Sequence, residues 1–263
     1  MLLSLAQYRV ARGDVATNLK SIDTFAAEAA KAGSALLCLP EMATTGFDWA
    51  RNRELCKDAR RHLEQVGQIS RSRGIALCGS FLERTESGGM ANTLFYFSRE
   101  GKVVGQYRKI HLFTLFHEER HVEAGDAVCV ADTDEGKVGF AVCYDLRFPE
   151  LFRKNTEMGA CLQLLPSAFP HPRLAHWQTL VRARAIENQC LFVAVNQCGP
   201  EGHAGNVGRV HYFGHSMVVD PWGDILFEAG EAEGLFSVEV DLNEVERIRS
   251  KLTAWQDRRP ELY

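Results

Sequence analysis

The sequence predicts one α/β domain with mixed sheets over residues 1–263, on three observations. Apolar runs of strand length alternate with amphipathic helical patterns, which places helices over sheet faces. Several neighbouring strands are joined by short turns, as in "SREGKVV" and "DPWGDIL", so the sheets are not purely parallel. No linker, low-complexity tract or charge block interrupts the pattern, and 46% of residues are hydrophobic, enough for a sizeable core.

The elements follow in order. The opening "MLLSLAQYRV" has no basic leader and reads as a first strand, 2–8, rather than a signal peptide. Residues 14–32 read as a helix, with Asp14 as N-cap and Gly33 as its stop. The apolar run "ALLCLP" gives a strand at 35–39, and 51–73 reads as one long helix. Strands are expected at 75–82, 92–98 and 102–107, the last two linked by the "SREG" turn. The run ending in "VGFAVC" predicts a strand at 137–143, followed by a helix at 149–159 that Pro149 can open. A strand at 161–166, a helix at 172–188 and a strand at 190–196 continue the alternation. Strands at 215–220, 224–228 and 234–240 and a helix at 242–251 complete it.

Charge and cysteine usage exclude several classes. The formal net charge is -4 with no Lys or Arg block, so neither nucleic acid nor an anionic membrane is an expected partner. The apolar runs fall far short of the roughly 20 residues of a membrane helix. Eight cysteines occur with no C-x-x-C pair, several inside apolar strands. That usage predicts a reduced, cytoplasmic protein whose cysteines are mostly small core residues.

Three strand ends break the apolar pattern. "ALLCLP" is followed by Glu41, "VVGQYR" by Lys109 and "VGFAV" by Cys143. Reactive groups gather beyond strand ends in α/β sheets, where a rigid strand fixes them beside a crevice. Any one of these residues alone is ordinarily a solvated strand end or a core thiol. Together, a thiol, a carboxylate and an ammonium form a set for acyl transfer: nucleophile, proton acceptor and oxyanion partner.

The flanks "LPEMATTGF", "YRKIHLF" and "CYDLRFPE" resemble the three signature segments of the nitrilase superfamily, the carbon–nitrogen hydrolases. Further similarity runs through "HWQTLVRARAIENQ", "VAVNQCG", "GHSMVVDPWGDIL" and "LTAWQDRRP", nearly the whole chain. Within the superfamily the chain most resembles the omega-amidase group, which includes bacterial enzymes acting on 2-oxoglutaramate. The resemblance implies a four-layer alpha-beta-beta-alpha sandwich and a homodimer or higher homo-oligomer paired through a helical face, with 149–159 and 172–188 as candidates. It also implies a cysteine-dependent amidase with no metal or organic cofactor, acting on a small-molecule amide. Deaminated glutathione amidase and N-carbamoyl hydrolase are the alternatives within the family. A non-catalytic binding protein on this fold is the alternative outside it, and the complete residue set argues against that.

By the same resemblance Cys143 is the nucleophile, Glu41 the base and Lys109 the oxyanion partner. A second carboxylate falls in "FTLFHEERHVEAGD", at Glu118 if the closing "AGD" sets the register, with Glu119 one slip away. The same loop contains "HEERH", the zincin pattern, but Gly125 follows too soon for the long helix a zinc site needs. The Tyr144 N–H, at a tight turn after the nucleophile, is placed to face the oxyanion. Arg147 and Glu150 are expected to form ion pairs that fix this turn, with a substrate contact by Arg147 as the other reading. His111 and His176 are the remaining candidates for a substrate carboxylate. Phe47, Phe116, Phe169 and Trp177 could wall the pocket, or belong to core or interface.

Overall fold

The structure is a computed structural model that describes residues 1–203 and 209–262. The first half of the chain runs β1 (Leu2–Gln7), α1 (Val15–Lys31), β2 (Leu36–Cys38), α2 (Trp49–Leu55), α3 (Ala59–Arg73), β3 (Ala76–Arg84), β4 (Met90–Phe97) and β5 (Val103–Arg108). The second half begins β6 (Val130–Thr133), β7 (Gly136–Phe140), α4 (Pro149–Glu157), β8 (Leu162–Ser167), α5 (Leu174–Asn188) and β9 (Leu191–Asn196). It continues β10 (Cys198–His203), β11 (Arg209–Phe213), β12 (Met217–Val219), β13 (Ile225–Glu228), β14 (Gly234–Glu239) and α6 (Asn243–Lys251).

Two six-stranded mixed sheets form, in the orders β14-β1-β2-β3-β4-β5 and β13-β12-β9-β8-β7-β6. In each, three parallel strands lie centrally and antiparallel strands flank them. The period-2 alternation of side chains assigns the layers. Leu37, Leu77, Phe95 and Phe97 pack with Ile22, Ala26 and Val66 of α1 and α3. Leu36, Cys38, Leu94 and Tyr96, on the opposite face, join one core with Val138, Phe140, Leu164 and Val193 of the second sheet. Trp177, Val181 and Ala185 of α5 cover that sheet's outer face. The layers are therefore helix, sheet, sheet, helix. Tyr96 stacks on Phe140 across the inner interface at 6.3 Å. Gly105 is required there, because a Cβ would stand 2.4 Å from the Phe140 ring.

Several element boundaries differ from the sequence reading. The single helix expected over 51–73 is broken by a 3-10 turn at Cys56–Asp58. There the Cys56 thiol turns inward to the carbonyls of Glu83 and Gly89, a tertiary contact that no periodicity reports. Strands β6, β10 and β11 were not expected. The "CGPEGH" of β10 carries Gly and Pro and reads as loop; it becomes extended only by pairing with β11 in a two-stranded ribbon. Asp14 does cap α1, its carboxylate accepting from the Thr17 N–H at 3.1 Å. No helix among the described residues is long and apolar enough to cross a membrane.

Candidate active site

The carboxyl ends of β2, β5, β7 and β8 converge at one end of the sandwich. Glu41 lies three residues beyond β2, and its N–H bonds to the carbonyl of Ser167 at the end of β8. Its own carbonyl accepts from the Gln197 side chain at 2.8 Å, so residues at the ends of β8 and β9 in the second sheet hold its backbone. Lys109 follows β5 directly, and Cys143 stands three residues beyond β7.

Lys109 Nζ is the hub, at 2.8 Å from Glu41 Oε1 and 2.8 Å from Glu118 Oε2. All three side chains are almost wholly buried. Glu118 is oriented further by the Phe113 N–H at 2.7 Å. Glu119, its neighbour in sequence, instead pairs at the surface with Arg120 at 3.7 Å and His117 at 3.8 Å. The loop register thus brings Glu118, not Glu119, to the lysine.

Asn92 is an unforeseen member of this cluster. Its Nδ2 donates to Glu41 at 2.8 Å and to Glu118 at 3.2 Å, bridging the two carboxylates from the middle of β4. The only hint in sequence is a polar residue inside the apolar run "MANTLFYF".

Cys143 sits on an elbow with φ of 47°, the left-handed region that costs a residue with a Cβ about 1–3 kcal/mol. Asp145 closes that elbow. Its carboxylate accepts from the Val142 N–H at 2.8 Å, the Tyr107 hydroxyl at 2.8 Å and the His111 N–H at 3.0 Å, while Asp145 N–H returns to the Val142 carbonyl at 3.0 Å. Among the described residues neither Arg147 nor Glu150 forms the ion pair expected of it; a wholly buried carboxylate two residues after the cysteine performs the task because it reaches backbone donors on both strand ends. Cys143 opens into the same cleft as Glu41 and Lys109, beside Ala168.

The electrostatics fix the resting protonation. Burial disfavours the Lys109 ammonium, but Glu118 and Glu41 outweigh it and hold the lysine well above its ordinary range. Burial raises the Glu41 carboxyl, Lys109 pulls it down and Glu118 pushes it up again, for a net rise. Burial, then Glu41, push the Cys143 thiol well above its usual range. The thiol is therefore protonated at rest, next to a Glu41 carboxyl whose proton affinity is raised.

Cys143 lines two adjoining cavities. The larger cleft holds Glu41, Lys109 and Glu118, with walls from Phe47, Trp49, Phe113, Phe116 and Tyr212. The smaller is bounded by Tyr144, Arg147, Phe169 and Arg173. Phe47 and Phe116 are thus cleft walls, and Phe169 belongs to the side cavity. His176 is exposed, lines neither cavity and stands 3.3 Å from Arg147 Nη2. His111 is turned away onto Asp145 and stacks on Phe148 at 3.7 Å. Trp177 is fully buried core, its indole N–H bonded to the His215 carbonyl. The "HEERH" segment holds a single 3-10 turn, Glu118–Arg120, set off from the preceding one at Thr114–Phe116 by a left-handed His117, so its histidines share no helix face. His121 stacks on Trp49 at 5.2 Å. Among the described residues no group of three His, Cys, Asp or Glu is arranged for a metal ion.

The family model for carbon-nitrogen hydrolases matches residues 2–250. The chain belongs to the carbon-nitrogen hydrolase family. This hydrolase is 34% identical to the 2-oxoglutaramate amidase of Bacillus subtilis (strain 168), over 99% of this chain and 98% of that one. It is 37% identical to the deaminated glutathione amidase of Mus musculus, over 94% of this chain and 80% of that one. Among solved structures, an amidase from Nesterenkonia sp. AN1 superposes with a TM-score of 0.87 at 30% identity, covering 100% of this chain and 98% of that one. A further structure of that amidase shows the product of acrylamide addition at its active-site cysteine. The fold is the α/β sandwich of these hydrolases, and the hydrolase acts on non-peptide carbon–nitrogen bonds.

Proposed function

We propose that this hydrolase is a cysteine-dependent omega-amidase that converts a small 2-oxoglutaramate-like amide to the acid and ammonia. The carrying observation is that Cys143, Glu41, Lys109 and Glu118 line one cleft, with Lys109 held between Glu41 and Glu118. Glu41 takes the thiol proton as sulfur attacks the amide carbonyl. That removes the need for a free thiolate beside two buried carboxylates. Lys109 and the Tyr144 N–H receive the oxyanion, each donor worth roughly 3 kcal/mol in comparable sites. Glu41 passes its proton to the departing nitrogen, the C–N bond breaks, ammonia leaves and a thioester remains. Water, losing a proton to Glu41, cleaves the thioester, and that proton returns to the thiol as the acid departs. Glu118 and Asn92 hold Lys109 and Glu41 in position throughout. The whole chain acts as one hydrolase domain.

The similarity to the Bacillus subtilis 2-oxoglutaramate amidase over nearly both full lengths supports the omega-amide substrate. Deaminated glutathione is the second reading, favoured by the identity of 37% to the mouse enzyme. Ammonia release from 2-oxoglutaramate compared with hydrolysis of deaminated glutathione separates them; a higher kcat/KM on the latter overturns the first reading. We further propose a cytoplasmic homodimer. Eight free thiols support a reducing compartment. The outer face of α5, with Ile186 exposed next to Ile225 and Leu226 on β13, supports the pairing surface. Sedimentation of wild type against Ile186→Glu tests it, with a monomeric wild type refuting the dimer.

A further inference from the structure

We propose that Arg173, acting with Arg147 in the side cavity, is the specificity-determining residue of this hydrolase, clamping the carboxylate of an acidic amide while the amide end reaches Cys143 in the larger cleft. The inference rests on the omega-amide reading and identifies how this chain would select an acid over a neutral amide.

Charge placement is the first ground. In the larger cleft each cation already faces carboxylates, Lys109 with Glu41 and Glu118 and Arg12 with Asp48 at 3.6 Å, so a second anionic group finds no surplus positive charge there. The side cavity opens on the same sulfur but is lined by two guanidiniums and by no carboxylate. An acidic amide therefore has one favourable orientation, with its acid group towards Arg147 and Arg173 and its amide over Cys143.

Preorganisation is the second. The Arg147 guanidinium stands 5.4 Å from the Phe169 ring centroid and 5.9 Å from that of Tyr144. The Arg173 guanidinium stands 5.7 Å from Phe113. Aromatic faces hold both groups without using their N–H donors. The polar contacts they make are weak: Arg147 Nη2 to His176 Nδ1 at 3.3 Å, and Arg173 Nη1 to the His171 carbonyl at 3.4 Å. Among the described residues no carboxylate pairs with either. Burial and the neighbouring Arg147 both disfavour the Arg173 cation, so an anion bound between the two would favour it. By contrast Arg12, the other arginine at the larger cleft, faces Asp48 at 3.6 Å.

The arrangement suits a planar carboxylate, for which a guanidinium offers parallel N–H donors. With two such groups the side cavity also has donors left for an adjacent keto oxygen. Arg173 lies in "FPHPRLAHW", just ahead of α5, where its position depends on the turn and not on a strand or helix.

The test compares kcat/KM for ammonia release from 2-oxoglutaramate and from butyramide, a neutral amide, in wild type, Arg173→Gln, Arg173→Lys and Arg12→Gln. Loss of one charge-assisted hydrogen bond predicts a fall of about 10- to 100-fold in the acid-to-neutral ratio for Arg173→Gln, expressed mainly in KM. Arg173→Lys should recover part of that ratio, which also shows that the position folds. Arg12→Gln should keep the wild-type ratio. A ratio unchanged in Arg173→Gln, or one that collapses in Arg12→Gln instead, overturns the clamp while leaving the omega-amide reading intact. A wild type that shows no preference for the acid refutes that reading, and the clamp with it.

Discussion

Replacing Glu118 by Gln removes one buried negative charge and keeps the shape, so its effects on Lys109 and on Glu41 can be separated. Glu41 and Glu118 each hold an oxygen at 2.8 Å from the same Nζ. Those oxygens are therefore no more than about 6 Å apart, where two unit charges interact by roughly 3 kcal/mol at an effective dielectric of about 20. In wild type that repulsion raises the Glu41 carboxyl. Without it Glu41 becomes a stronger acid and a weaker base. If Glu41 must be ionised to accept the thiol proton, kcat/KM falls on the acid side as Glu41 protonates. The acid limb of the Glu118→Gln profile should then lie at lower pH than that of wild type. Lys109 also loses its charged partner in Glu118, and a misplaced oxyanion donor predicts a fall of about 100-fold in kcat on the plateau. Stability should drop by roughly 1–3 kcal/mol, since Lys109 still pairs with Glu41. The assay is ammonia release from 2-oxoglutaramate across the acid and neutral range, with a urea unfolding curve for each variant. An acid limb that stays in place or moves to higher pH would refute the coupling, and a normal plateau would refute the positioning of Lys109. Glu119→Gln is the control and should resemble wild type in both.

Cys143→Ala should fold normally and lose essentially all turnover; a tenth of wild-type activity in that variant would exclude Cys143 as the nucleophile. The double variant His117→Ala with His121→Ala should retain substantial activity, because neither imidazole bonds a residue of the Glu41–Lys109–Glu118–Cys143 cluster, and activity should survive a strong chelator. Dependence of turnover on stoichiometric zinc would overturn that mechanism. Asp145→Ala leaves the Val142 and His111 N–H groups and the Tyr107 hydroxyl without their acceptor, so it should cost about 2–5 kcal/mol and at least 10-fold in kcat. Wild-type turnover in a stably folded Asp145→Ala protein would show that the elbow holds itself.

Three of the four groups of the proposed mechanism were legible in sequence because each follows a recognisable run, and the fourth, Glu118, was placed by the resemblance alone. An apolar strand that ends abruptly in a charge or a thiol marks a position where a rigid element delivers a side chain to an edge, and Glu41, Lys109 and Cys143 each have that form. The two sheets and their covering helices were readable for a related reason: burial on both faces leaves apolar runs, and burial on one leaves periodicity. Neither signal reports what meets across space. Asn92 lies in the middle of β4 and joins the site only because β4 runs beside β5, so that its amide spans two carboxylates that are distant in the chain. Asp145 was visible in "CYDLRFPE", yet its task depends on donors from Tyr107 and His111, more than thirty residues earlier. Arg173 precedes a helix in an irregular turn, where no periodicity constrains direction, and the packing of that turn against β11 sets it beside Arg147. Local pattern thus determines which residues end a strand, since that depends on neighbours along the chain. The tertiary structure decides which of them share a cavity and which polar groups hold them, since those energies arise only where two sheets close on one another.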